Sequence, residues 1–261
     1  MTSLPPRSKV VAVVSDIHFN LHCEATWKAF RAWVRYVKPD EIVIAGDFLD
    51  LGMMSHYAVG ADDPLDPVDQ IQLFVRETRA LLKHTPSLVV MEGNHDERWG
   101  KVLLGENPSR LRKAKGLSLR EQCLSQGLDP SVKWLRETTH ATGYRVGQFW
   151  IRHGHRQAAR FGGGRHIAAN RISKTFSSEI IGHHHKAQLF CQTIRSSRDR
   201  DTVVVGIANP CMTRDHSYAL AADWQRGFTI LELSGERATP YVVLIEGGKF
   251  SWGGRVFDGN R

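Results

Sequence analysis

The sequence predicts an α/β fold, on three observations. Short apolar, β-branched runs at Lys9 to Ser15, Glu41 to Ala45 and Ser87 to Met91 have the length of buried strands. Helical patterns separate them, at 23–38 and at Gln70 to Lys83. Strands alternating with helices indicate βαβ units and a buried sheet.

Each element has a local reason. A polar, proline-containing lead-in (MTSLPPRS) precedes the first strand. In the helix at 23–38, Ala25, Phe30, Trp33, Val34 and Val37 form an apolar face, and Pro39 ends it. A long loop with Gly52, Gly60, Pro64 and Pro67 follows the second strand. Residues 97–140 read as an irregular basic insertion with one or two helices, carrying Arg98, Lys101, Arg110, Arg112, Lys113, Lys115 and Arg120. From Gly143 the pattern turns strand-rich: Tyr144 to Arg152, Glu179 to Ile181, Ala187 to Ile194, Thr202 to Ala208, Phe228 to Leu233 and Pro240 to Ile245. A helix over Arg165 to Phe176 interrupts it. Residues 247–261 read as a C-terminal tail with little periodicity, and the whole of 1–261 as a single domain.

Composition narrows the class. The 261 residues are 41% hydrophobic and 24% charged, as in ordinary globular proteins, so a large core needs no disulfides. Cys23, Cys123, Cys191 and Cys211 are scattered without zinc-knuckle or redox spacing, and no signal peptide is visible. A reducing, cytoplasmic setting is therefore expected. The longest apolar runs, such as Val10 to Val14, fall far short of the ~20 residues that span a bilayer, so no membrane partner is expected. The formal charge of +8 favours polyanions such as DNA or RNA, although a merely soluble basic surface has the same balance. Oligomeric state is not legible.

The polar residues fall in a pattern. The first strand runs into Asp16-Ile17-His18, the second into Gly46-Asp47-Phe48-Leu49-Asp50, the third into Gly93-Asn94-His95-Asp96. The strand ending at Arg152 runs into His153-Gly154-His155, and that ending at Ile181 into Gly182-His183-His184-His185. In α/β sheets, ligands sit beyond the carboxyl ends of strands, so these groups can converge. Carboxylate oxygens and imidazole nitrogens suit first-row divalent ions without any thiolate. Asp47 has two oxygens with which to bridge two ions. A pair of ions ~3.5–4 Å apart clamps both the attacking and leaving oxygens of an in-line displacement and lowers the pKa of a shared water. A lone His or Asp after a strand is usually a cap or turn residue. Five such motifs in order, each after a strand, point to a metal centre.

These motifs resemble those of the calcineurin-like metallophosphoesterase superfamily: Asp-x-His at 16–18, Gly-Asp-x-x-Asp at 46–50, Gly-Asn-His-Asp at 93–96, His-Gly at 153–154 and Gly-His-x-His at 182–185. The resemblance implies a four-layered α/β sandwich with two facing mixed β-sheets flanked by helices. It implies that Asp16, His18 and His185 hold one ion, that Asn94, His153 and His183 hold the other, and that Asp47 bridges them. It places His95 at the scissile phosphate, to protonate the leaving oxygen or stabilise charge. His184 points elsewhere. His155 follows the presumed ligand by two and is read as supporting the site or facing substrate. Asp50 and Asp96 are read as holding loops or orienting a histidine, with Asp96 the better partner for His95.

The substrate is less legible. Serine/threonine phosphatases of the superfamily carry Arg where this chain has Leu51 and Glu where it has Asp96, which counts against a phosphoprotein substrate. The expected activity is metal-dependent hydrolysis of phosphodiester bonds in nucleic acid or nucleotides, by attack of the shared hydroxide. The alternatives are a phosphomonoesterase on a small molecule or phosphoprotein, and a non-catalytic scaffold that keeps the fold. Manganese is the expected metal, with Fe, Zn, Ni or Mg compatible with the same ligands. The basic stretch 98–120 is either a nucleic-acid rim or a solvated helical surface, and the loop 51–69, with His56 and Tyr57, flanks Asp47. The triplet Gly162 to Gly164 reads as a flexible loop, and His22, His56, His84, His140, His166 and His216 as surface or packing residues. The segment Ala222 to Phe228 resembles one found in phage members of the group.

Overall fold

The structure, a computed structural model, describes residues 8–55, 65–105, 116–136, 142–156, 165–195, 201–216 and 223–261. The chain runs β1 (Lys9–Val14), α1 (Glu24–Val37), β2 (Glu41–Ala45), α2 (Pro67–Leu82), β3 (Leu88–Glu92), α3 (Glu97–Leu104), α4 (Leu119–Ser125) and β4 (Lys133–Arg136). It continues through β5 (Tyr144–Val146), β6 (Phe149–Arg152), α5 (Ile167–Thr175), β7 (Glu179–Ile181), β8 (Gln188–Ile194), β9 (Thr202–Ala208), β10 (Gly227–Ser234), β11 (Arg237–Leu244), β12 (Lys249–Trp252) and β13 (Arg255–Asp258).

Two mixed sheets carry the architecture. One has the order β11-β10-β1-β2-β3-β4, with β1 to β4 mutually parallel and β10 and β11 antiparallel at one side. The other has the order β5-β6-β7-β9-β8, with β6, β7 and β9 parallel. Every residue of β2 and β3 is buried, which explains why these strands read as unbroken apolar runs instead of alternating ones.

Period-two alternation then sorts the side chains into layers. Val11, Val13, Val43, Ala45, Val89 and Met91 face the second sheet and pack with Phe149, Ile151, Ile180 and Ile207. Their neighbours Ala12, Val14, Ile42, Ile44 and Val90 face the other way, into the apolar sides of α1 and α2, against Trp27, Phe30, Trp33 and Phe74. On the far side, Ile167 of α5 packs against Ile181 and Ala208 of the second sheet. Helices, sheet, sheet and helix make the four layers that the motifs implied.

Three stretches differ from their sequence reading. Within 97–140, beyond the two helices, Lys133–Arg136 forms an edge strand. It is too short and too charged to show a pattern, and it is held by Glu92, which accepts from Trp134 Nε1 at 2.8 Å and pairs with Arg136 at 2.8 Å. The run 144–152 is not one strand but the hairpin β5–β6, turning at 147–148. The tail is a hairpin as well: Gly253 (φ 56) and Gly254 (φ 73) make the two-residue turn whose positive φ values match strand twist. Phe250 and Phe257 stack at 5.1 Å and join the core beside Phe228. Among the described residues, no helix is long and apolar enough to cross a membrane.

Because Phe257 is 4% exposed, its truncation opens a cavity in the main core. Phe257→Ala is expected to lower unfolding free energy by about 3–5 kcal/mol, read from the urea midpoint. A shift of under about 1 kcal/mol would show the hairpin to be a dispensable appendage.

Candidate metal centre

Parallel β1, β2 and β3 release their chain at one edge of the first sheet, and β6 and β7 do so at the facing edge of the second. The loops interlock before any side chain is counted: Asp16 N donates to Gly46 O at 3.0 Å, and His18 N to Asp47 O at 3.0 Å. Across the sheets, His153 Nδ1 donates to Ala45 O at 3.0 Å. The fit is tight. A Cβ on Gly93 would lie 2.2 Å from Asp47 Oδ1, and one on Gly182 would lie 2.8 Å from Asp16 Oδ2. Among the described residues, nine non-glycines have positive φ, and five of them are here: Asp16, His18, Asp47, His183 and His185. Such backbone costs energy and gathers where a function requires it.

Three groups of donors result, one of them His18, Asp50 and His95, and the other two matching the expected ligand sets. Asp16, His18 and His185 bring their ligand atoms within 4.8 Å of one another, and so do Asp47, His153 and His183. His185 Nε2 lies 3.3 Å from Asp16 Oδ1, and His153 Nε2 lies 3.2 Å from Asp47 Oδ2 and 3.0 Å from Asn94 Oδ1. Asp47 Oδ2 is also 3.9 Å from His18 Nε2, so this one atom joins the two ligand sets. The sequence suggested bridging through both oxygens. The other oxygen of Asp47, Oδ1, accepts from the His95 amide at 2.9 Å and keeps a second lone pair.

Charge explains the rest. Asp16 is 0% and Asp47 2% exposed. Burial pushes both carboxyls up, yet the surrounding histidines (His185 at Asp16, His153 at Asp47) hold both below the usual carboxylate range. The histidines respond reciprocally. Burial disfavours a charged His153, but Asp47 outweighs it and raises the imidazole to about 10; Asp16 does the same for His185, also to about 10. His183, driven down by burial and then by His153, falls to about 3.

The donor set fits divalent cations. His18 Nδ1 donates to Asp50 Oδ1 at 3.0 Å, which turns the Nε2 lone pair toward Asp47 and Asp16, and this buried nitrogen makes no hydrogen bond. A buried acceptor facing two carboxylates is unfavourable unless a cation joins them. Likewise His153 Nε2, Asn94 Oδ1 and Asp47 Oδ2 share one point, where a proton or a metal ion satisfies all three. Nitrogen and oxygen donors of this kind suit first-row divalent ions.

His95 stands beside both ligand sets, its ring 4.4 Å from that of His18. Its partner is not Asp96. His95 Nδ1 donates to Asp50 O at 2.8 Å and lies 3.3 Å from Asp50 Oδ1. Asp96 turns both oxygens to backbone amides instead, accepting from Leu49 N at 3.0 Å and Gly93 N at 2.7 Å. Burial, reinforced by Asp47, raises its carboxyl well above the usual range. His155 lies 3.3 Å from Glu97 Oε1, beside His153, and His184 packs its ring on His183 outside all three donor groups.

Sequence reasoning missed three neighbours. His216 is 3% exposed, with its ring 6.0 Å from that of His18. Trp224 packs at 4.4 Å on His185 and 5.2 Å on His216. His216 comes from an irregular segment with no pattern to flag it, and Trp224 from the phage-like segment 222–228, which gave no sign of a place beside His185. Arg98 reaches His95 Nε2 at 3.1 Å, and its spacing three residues on from His95 was a signal available in the sequence. Of the basic stretch, Arg98 and Lys101 lie on α3, while Arg110, Arg112, Lys113 and Lys115 lie outside the described residues, as do His56, Tyr57, His140 and Gly162 to Gly164.

Compared with known proteins, residues 9–210 match the family model for calcineurin-like phosphoesterase. The Gene 54 protein of Mycobacterium phage L5 is 26% identical over 262 positions, covering 96% of this chain and 99% of that protein. The Gene 54 protein of Mycobacterium phage D29 is 27% identical over 262 positions, with the same coverage of both. Vacuolar protein sorting 29 from Cryptosporidium parvum has a similar fold, with a TM-score of 0.50 at 13% identity over 97% of this chain and 96% of that one. The match over residues 9–210 spans all five strand-end motifs and the strands that precede them, so this chain belongs to the calcineurin-like phosphoesterase family, hydrolases that act on phosphate esters.

Proposed function

We propose that this chain is a dinuclear phosphodiesterase acting on nucleic acid or a nucleotide. In this reading Asp16, His18 and His185 hold one divalent ion, Asn94, His153 and His183 the other, and Asp47 lies between them. The observation that carries it is the position of Asp47 Oδ2, 3.2 Å from His153 Nε2 and 3.9 Å from His18 Nε2, so that one buried oxygen is shared by both donor groups. Manganese is the proposed metal, because mixed nitrogen and oxygen ligation leaves availability to decide. Bound there, two such ions supply Lewis-acid stabilisation of the phosphoryl group and water of lowered pKa.

The chain's own residues do the positioning. Asp50 Oδ1 orients His18 and lies 3.3 Å from His95 Nδ1, fixing two rings with one carboxylate. Held through Nδ1, His95 presents Nε2 to the leaving oxygen, to protonate it or stabilise its charge. Leu51, buried and apolar, and a net charge of +8 support a diester in a polyanion over a phosphoprotein.

Manganese-loaded protein is expected to hydrolyse bis-p-nitrophenyl phosphate faster than p-nitrophenyl phosphate and to carry two ions per chain by elemental analysis. The opposite preference would replace the diester reading with a monoester one. Asp47→Ala should lower hydrolysis to background; full activity would remove the bridging role. For Asp50→Ala, hydrolysis should drop roughly 10- to 100-fold, with Asp50→Asn recovering part of it. Unchanged kcat in Asp50→Ala would mean that His95 and His18 need no such support.

A further inference from the structure

Arg98 lies in the first turn of α3, three residues after His95, and its amide donates to His95 O at 3.0 Å. Its guanidinium is half-buried and reaches over the site. NH1 donates to Asp50 O at 2.8 Å, and NH2 lies 3.1 Å from His95 Nε2. An arginine can only donate, so Nε2 is the acceptor and Nδ1 carries the hydrogen given to Asp50 O.

Among the described residues this cation has no counter-ion. Nearby cations differ: Lys101 pairs with Glu97 at 3.4 Å, Arg136 with Glu92 at 2.8 Å, and Arg156 with Glu97. Among the described residues no carboxylate lies within salt-bridge reach of Arg98. The nearest acid, Asp50, spends its carboxylate on His18 and His95 and offers Arg98 only a carbonyl. A half-buried guanidinium, fixed by its carbonyl bond and left with a neutral ring nitrogen as second acceptor, is poised for an anion. Arginine's planar fork suits a phosphate, whose oxygens accept far more strongly than an imidazole does.

We propose that Arg98 is a substrate-binding residue that grips a non-bridging oxygen of the phosphate ester. On substrate arrival, NH2 exchanges His95 Nε2 for the phosphate oxygen, while NH1 stays on Asp50 O. The exchange also frees Nε2, which carries no hydrogen while Arg98 donates to it, to take from solvent the proton that it passes to the leaving oxygen. Arg98 thus ties substrate recognition to the exposure of His95. The proposal rests on the phosphoesterase reading above and adds to it a protein cation at the phosphate, set on α3 beside the metal ligands.

The test uses the full-length, manganese-loaded chain and three variants, Arg98→Ala, Arg98→Gln and Arg98→Lys. Inorganic phosphate binding is measured by calorimetry, and KM and kcat on bis-p-nitrophenyl phosphate separately. Metal content and melting temperature show whether each variant is intact. Arg98→Ala and Arg98→Gln are expected to weaken phosphate binding and raise KM by roughly 10- to 100-fold, the range for a charged hydrogen bond. Arg98→Lys should recover part of both. Unchanged phosphate affinity and KM in Arg98→Gln overturn the proposal, as does a loss confined to kcat, which would make Arg98 only a support for His95. If Arg98→Ala fails to fold, the Gln variant, which keeps a donor for Asp50 O, decides. Should the wild type hydrolyse no ester, the function reading fails while the phosphate titration still decides Arg98; a wild type that binds no phosphate overturns it.

Discussion

Two carboxylates withdrawn from water, Asp16 and Asp47, are the constraint on which the rest of the structure depends. A buried unpaired charge is among the costliest features a fold can hold, so each needs positive partners within a few ångströms. Those partners come from the other sheet: His185 for Asp16 and His153 for Asp47. The meeting of the two sheet edges is therefore an electrostatic arrangement as much as a hydrophobic one. The apolar layer between the sheets brings the edges together, and the charges determine how the loops must turn once there. Five residues of the site, Asp16, His18, Asp47, His183 and His185, accordingly stand in left-handed backbone.

Around this pair the remaining acids divide the labour. Asp96 binds the amides of Leu49 and Gly93, joining the loop after β2 to the loop after β3, and so sets Asp47 in register with Asn94. Asp50 fixes ring orientation at His18 and His95. Both thereby aim the donor atoms of their neighbours. Such supporting hydrogen bonds fix tautomers, and at His18 the outcome is a lone pair turned inward.

The fold gives this centre an asymmetry. One flank, at the start of α3, gathers Arg98, Lys101 and Glu97, with Arg156 reaching in from the loop after β6. The other flank is aromatic, with Trp224 and His216 packed against His185 and His18.

The strands, the principal helices and the identity of the converging motifs were legible in the sequence, because each depends on short-range signals. β1, β2 and β3 are buried on both faces and so announce themselves as apolar runs. Asp16, Asp47, Asn94, His153, His183 and His185 each sit within four residues of a strand end, where the local pattern shows them. The sequence did not reveal β4, the β5–β6 hairpin or the terminal hairpin, whose strands have four residues or fewer and mix charged with apolar side chains. Nor did it show which acid serves His95. Asp50 and Asp96 look interchangeable along the chain; only the crossing of two loops brings one to the imidazole and the other to the amides. Local sequence names the groups that can bind a metal, whereas their mutual orientation, and with it the role of Arg98, is set by contacts between segments that the chain keeps far apart until the two sheets pack.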